Sequence, residues 1–139
     1  MSPTLSSALP PAAPCPCGAS LSYAKCCGRW HAGPHALNAP TAEALMRSRY
    51  SAFVLDLGEY LLATWHPDTR PGTLEPNEPG LKWLGLSIKR HVVQDADHAT
   101  VEFVARSRLH GQAHRLHECS RFERRDGRWF YLDGTFPDG

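Results

Sequence analysis

Apolar residues recur three and four positions apart between residues 42 and 57, then at every second position beyond residue 81. The first pattern predicts a helix. Ala42, Leu45, Met46, Arg49, Tyr50, Phe53, Val54 and Leu57 fall on one stripe at the i, i+3, i+4, i+7 spacing. Pro40 stops the preceding chain, Thr41 can accept from the first-turn amides as N-cap, and Glu43 sits favourably near the helix N-terminus. Gly58 reads as its C-cap. A second, shorter helix is expected over residues 59–66, with Tyr60, Leu61, Thr64 and Trp65 on one side and Pro67 ending it. Residues 68–80 hold three prolines and two glycines and read as loop.

The second pattern predicts strands. Leu84, Leu86, Ile88 and Val92 alternate on one side of a strand over residues 81–94. Val101, Phe103, Ala105, Ser107 and Leu109 do so over residues 100–110. Residues 113–125 and 128–133 flank Asp126-Gly127, a hairpin dipeptide. Two helices followed by an antiparallel meander imply an α+β fold, with the helices laid across one face of the sheet.

Ahead of that domain lies a different signal. Four of the five cysteines fall within thirteen residues, as Cys15-Pro-Cys17 and Cys26-Cys27. Four thiols that close can surround one metal ion, and thiolate sets of four select zinc. Gly18 lets the backbone turn back, and eight residues bring Cys26 and Cys27 round. A set of Cys15, Cys17, Cys26 and Cys27 closes the coordination, so such a Zn²⁺ is structural and leaves no position for a reacting water. His31 is the rival ligand and could replace Cys27. Lys25 and Arg29 are placed to offset the negative charge of four thiolates.

The 139 residues carry a net charge of +1, which argues against a general polyanion binder. Charge is uneven: residues 106–128 hold seven arginines against three acids. Those arginines read as a solvated strand face, so nucleic acid is disfavoured as a partner. The amino-terminal residues lack the basic start and apolar run of a secretory signal, and no stretch approaches a membrane span. Clustered thiols in such a chain point to metal ligation in a reducing cytoplasm. The expected organisation is a disordered tail at 1–14, a metal knuckle at 15–35, a short linker, and a domain from 41 to 139.

The knuckle resembles the SEC-C motif, the zinc module of the SecA translocation ATPase, whose C-x-C-x8-C-[HC] pattern the four cysteines match position for position. The remainder resembles the bacterial YchJ-like family through Ala39–Phe53, Tyr60–Pro67, Trp83–Leu86, His117–Phe122 and Gly127–Gly134. The resemblance implies a domain similar to nuclear transport factor 2: two or three helices on a strongly curved antiparallel sheet, wrapped into a cone. It implies no reaction.

Within such a cone, Leu116, Glu118, Ser120 and Phe122 share the inner face by period two. Glu118 would be a buried carboxylate needing a partner. Arg47, Arg49, Tyr50, Trp65, His66, Trp83, Tyr131 and Asp133 are its candidate partners, and Arg49, Tyr50, Trp65, Trp83, Tyr131 and Asp133 are expected around any pocket. The pattern favours Glu118 as one half of an ion pair locking helix to sheet; a general base is the competing role. Two functions follow. The first is an adaptor whose knuckle, rimmed by Lys25, Arg29, Trp30 and His31, contacts a protein or the ribosome. The second is a small-molecule pocket, of hydratase or isomerase type, built on Glu118.

Overall fold

The computed structural model describes residues 9–137. Three α-helices precede four strands: α1 (Gly28–His31), α2 (Ala42–Leu55), α3 (Gly58–Ala63), β1 (Lys82–Asp95), β2 (His98–Leu109), β3 (Gln112–Arg125) and β4 (Arg128–Thr135). A 3-10 turn over Tyr23–Lys25 leads into α1. The strands form one antiparallel meander in the order β1-β2-β3-β4, with α2 packed against the sheet. The expected α+β class is therefore what the chain adopts. No helix among the described residues is long and apolar enough to cross a membrane.

Helix α2 starts as anticipated, with the Thr41 hydroxyl accepting from the Ala44 amide at 3.0 Å. Its end differs. Asp56, at φ 60°, takes the left-handed C-cap position, and Gly58 instead opens α3. Helix α3 also stops early, at Ala63. The next residues pair in parallel with β4: the His66 amide donates to the Tyr131 carbonyl at 2.7 Å, and the Tyr131 amide donates to the Thr64 carbonyl at 2.9 Å. That pairing covers an edge that would otherwise be open.

Bulges explain where simple alternation fails. In β1 the register slips between Trp83 and Gly85 and again between Ile88 and Arg90. Each extra residue inverts the side-chain sequence that follows. Trp83, Leu86 and Ile88 thus face the core with Ala105 and Phe103, whereas Leu84 is 50% exposed and Val92 opposes Thr100 on the outer face. The slip in the β3–β4 pair, between Arg121 and Phe122, has the same effect on β4. Tyr131 faces inward opposite Phe122, and Asp133 faces outward opposite Arg121. Four bulged or irregular steps along such long strands also bend and twist the sheet.

The knuckle is not a separate appendage. Its four cysteines belong to the same buried cluster as Leu45, Met46, Tyr50, Val101, Phe103 and Phe122. Of the expected tail, residues 1–8 lie outside the described residues, while 10–14 are hydrogen-bonded to the knuckle: the Tyr23 amide donates to the Ala13 carbonyl and the Ala24 amide to that of Pro11.

Candidate functional site: a four-cysteine cluster and an aromatic cavity on opposite sides of one helix

The Cys15 amide bonds the Leu21 carbonyl, and Gly18, at φ 79°, reverses the chain so its amide reaches the Cys15 carbonyl. The tight turn into α1 depends on Gly28, where a Cβ would come within 2.7 Å of the Tyr23 carbonyl oxygen and 3.0 Å of its ring. These turns bring the Sγ atoms of Cys15, Cys17, Cys26 and Cys27 to within 4.8 Å of one another, all buried. Cys17 and Cys26 sulfurs are 3.6 Å apart, and those of Cys26 and Cys27 are 4.0 Å apart. Disulfide sulfurs lie at about 2.05 Å, so these are free thiols. Ligand bonds of about 2.3 Å in a tetrahedron place sulfurs roughly 3.8 Å apart. The two spacings bracket that value, so the donor set fits a tetrahedral metal ion.

The four thiols influence one another's ionisation. Hydrogen bonds from Cys17 and Cys27 hold the Cys15 thiol far below the ordinary range. Burial and the Cys17 contact push Cys26 up to about 12, and the contacts to Cys15 and Cys17 raise Cys27 as well. One thiolate thus suppresses ionisation of its neighbours. Four thiolates can coexist only around a cation.

Residues of α2 clamp this cluster from one side. The Ser51 hydroxyl lies 3.5 Å from Cys15 Sγ, and Arg47 donates to the Cys17 carbonyl at 3.0 Å while pairing with Glu43. Among the described residues His31 is not part of the four-sulfur group. Its Nε2 donates to the Ser48 carbonyl at 2.8 Å, which leaves Nδ1 to accept from the Tyr23 hydroxyl at 2.6 Å. Burial lowers its basicity, consistent with a neutral ring pinning the knuckle to α2. Arg29 donates to the Cys26 carbonyl at 3.0 Å and stacks over Trp30, while Lys25 is exposed.

On its other side α2 walls a cavity of about 310 Å³. Arg49, Tyr50, Trp65, Trp83, Glu118 and Tyr131 all line it, together with Met46, Phe53, Asn77, Phe103, Ala105, Leu116 and Ser120. Asp133 does not, because the β4 bulge turns it outward into an ion pair with Arg121 at 2.6 Å. His66 also lies elsewhere: it is buried, takes the Asp68 amide on Nδ1 at 3.1 Å, and pairs with Glu123 through Nε2.

Glu118 makes no arginine ion pair among the described residues. Its Oε2 accepts from the Ser120 hydroxyl at 2.7 Å and the Tyr131 hydroxyl at 2.9 Å. Burial, with the nearby Glu118 charge, raises the Tyr131 phenol and keeps it a donor. Arg49 donates to the Leu61 carbonyl at 2.8 Å and to the Thr64 hydroxyl at 2.7 Å, and its guanidinium lies 5.1 Å from the Trp65 ring centre and 4.7 Å from that of Tyr131. Burial lowers its pKa to about 10, which still leaves it cationic at neutral pH. The expected Glu118–arginine lock between helix and sheet is thus not formed: Glu118 is held within the sheet, and Arg49 ties α2 to α3 and Thr64. Gly134 completes the site: any Cβ there would overlap the Glu118 side chain, so the missing side chain is the bed on which the carboxylate lies. A glycine inside a strand is the sequence signal for such an approach.

Comparison with known proteins agrees with this architecture. Residues 41–134 match the family described as YchJ, middle NTF2-like domain. A UPF0225 protein of Bordetella parapertussis is 64% identical over 127 residues, covering 90% of this chain and 96% of its own length. One from Methylibium petroleiphilum is 65% identical over 121 residues, covering 87% of each. Among solved structures, a SEC-C motif containing protein from Rhodopseudomonas palustris superposes with a TM-score of 0.75 at 30% identity, covering 88% of this chain and 97% of that one. Another from Psychrobacter arcticus gives 0.73 at 30% identity, covering 91% and 84%. The chain belongs to the YchJ-like family, with a SEC-C cysteine motif built onto an NTF2-like domain.

Proposed function

We propose that this chain is a zinc-stabilised small-molecule-binding protein whose ligand site is the cavity between α2 and the sheet. The cavity itself carries this reading. About 310 Å³ of space lies among six aromatic side chains, with one buried carboxylate and one buried guanidinium among its polar groups. A mostly apolar hollow with a few convergent polar groups is the usual form of a ligand site. Glu118 is also the group that a hydratase or isomerase reaction would use as its base. Zinc is the ion assigned to the four cysteines, because a closed set of four thiolates suits it and carries no reaction. Free thiols gathered in this way fit a reducing cytoplasm.

Ala105 lies on the cavity wall and is 4% exposed. Ala105→Phe adds bulk to the cavity wall and leaves Glu118 itself in the sequence. Titrating 2-naphthol, a neutral two-ring probe, into the full-length protein should give saturable binding that Ala105→Phe removes while the protein stays folded. Absence of binding, or binding indifferent to Ala105→Phe, would contradict the pocket reading.

A second reading concerns the outer rim of the knuckle. Lys25 is exposed, and Arg29 lies 4.4 Å over the half-buried Trp30 ring, a cationic and aromatic pair that faces solvent. This supports contact with a protein or the ribosome. Replacing both cations with glutamate in the full chain should abolish co-sedimentation with ribosomes; unchanged sedimentation would remove that partner.

A further inference from the structure

The chemistry of the cavity's occupant can be taken further; it rests on the pocket reading above. Glu118 is 8% exposed, and both of its hydrogen-bond donors, Ser120 and Tyr131, converge on the same oxygen, Oε2. No donor reaches Oε1 among the described residues. The side chain cannot be displaced freely, because it already fills the place of the side chain that Gly134 lacks. A buried carboxylate oxygen in this setting favours a hydrogen-bond donor strongly, since charge-assisted bonds are stronger where water is excluded.

Arg49 sets the charge of the ligand. Its NH1 is taken by the Leu61 carbonyl and the Thr64 hydroxyl, and the rings of Trp65 and Tyr131 lie within 5.1 Å of its guanidinium carbon. With NH1 held by α3 and the segment after it, an incoming carboxylate or phosphate would meet only the remaining guanidinium nitrogens, between two aromatic rings. The Arg49 cation and the Glu118 carboxyl line the same cavity, both beside Tyr131. A charged ligand would bring an uncompensated charge into an aromatic enclosure.

We infer that the site takes a neutral, largely aromatic or apolar molecule bearing one hydroxyl or N–H group, which donates to Glu118 Oε1. The tryptophan and tyrosine walls supply the contact area and Glu118 reads the donor.

Calorimetry on the full-length, metal-loaded protein tests this with three probes of one shape: 2-naphthol, 2-methoxynaphthalene and naphthalene-2-carboxylate. The naphthol should bind at least about tenfold more tightly than its methyl ether, the effect of one hydrogen bond to a buried charged group. In Glu118→Gln that preference should vanish. Ser120 and Tyr131 would hold the amide oxygen, leaving the NH₂ group to face the ligand. Equal or tighter binding of the ether would overturn the inference while leaving the pocket intact. Tightest binding of the carboxylate would overturn it too, by making Arg49 the recognition group. If none of the three binds, the pocket reading itself falls. The wild-type series alone decides the donor question should the glutamine variant fail to fold.

Discussion

Removing the metal from the full-length protein, or replacing Cys17 with serine, should lower the melting temperature by 10 °C or more, on the order of 3 kcal/mol or above for a domain of this size. Cys17 is fully buried and shares one apolar cluster with Leu45, Met46 and Tyr50. Structural zinc contributes roughly 10–16 kcal/mol of apparent binding free energy in small modules, comparable to the whole stability of an ordinary domain. Without a cation the Cys15 thiolate opposes ionisation of Cys26 and Cys27, and the contacts from Arg47, Ser51 and His31 are left to hold residues 15–27 against α2. Val101, Phe103 and Phe122 share the cysteines' cluster but also pack with Leu45, Met46 and Tyr50 of α2, so the sheet should persist. Hydrogen exchange should therefore rise across residues 13–31 and along the α2 face that carries Ser48 and Ser51, while the β2 and β3 amides stay protected. Cys119→Ser is the control, because Cys119 stands apart from the cluster. Equal melting temperatures for metal-loaded and stripped protein would refute a structural role, as would equal losses in the Cys17 and Cys119 variants.

Arg49→Ala should cost about 3–5 kcal/mol, lowering the melting temperature by roughly 10 °C or more. Two effects oppose each other here. Alanine relieves the desolvation of a guanidinium that is 4% exposed. Against that, the Leu61 carbonyl and Thr64 hydroxyl lose their charged donor, the ring contacts with Trp65 and Tyr131 go, and a void opens beside the cavity. Hydrogen bonds to a charged group contribute about 1.5–3 kcal/mol each and a desolvated cation–π contact about 2 kcal/mol, so the losses win. Arg49→Met, which refills the volume without the charge, should recover a substantial part of the loss. Thermal unfolding of both variants checks this. A methionine variant no better than the alanine one would show that volume plays no part, and an alanine variant as stable as wild type would remove Arg49 as the pin between α2 and α3.

Much of the fold is legible in the amino-acid sequence. Helix α2, its Thr41 cap and the inward set Leu116, Glu118, Ser120 and Phe122 follow from period and turn chemistry alone, because each rests on contacts local in sequence. The cysteine spacing likewise carries its own geometry. What alternation cannot reveal are the bulges, which invert every later side chain: Leu84 and Val92, set on one side with Leu86 and Ile88 by simple period two, and Asp133, expected around the pocket, face outward for that reason. Nor does the sequence show that hydroxyls from β3 and β4 meet the Glu118 charge, because those contacts depend on β4's register. By spacing His31 is a spare ligand; only tertiary packing shows both of its nitrogens taken. Composition marks the linker and tail as unstructured, yet Ala39 is buried and residues 10–14 are bonded to the knuckle.

One helix, α2, thus serves two sites. The Ser51 hydroxyl and the Ser48 carbonyl meet the knuckle, and Met46, Arg49 and Tyr50 face the cavity. The most direct test of the cavity as a ligand site uses the chain's four tryptophans, each of which gives one indole N–H resonance. Trp65 and Trp83 line the cavity, and Trp83 Nε1 is buried without a hydrogen-bond partner among the described residues, whereas Trp30 and Trp129 are not among the lining residues. Titrating 2-naphthol into the ¹⁵N-labelled protein should shift the Trp65 and Trp83 indole resonances and leave those of Trp30 and Trp129 in place. Shifts confined to Trp30 or Trp129, or no shift at any of the four, would contradict the account.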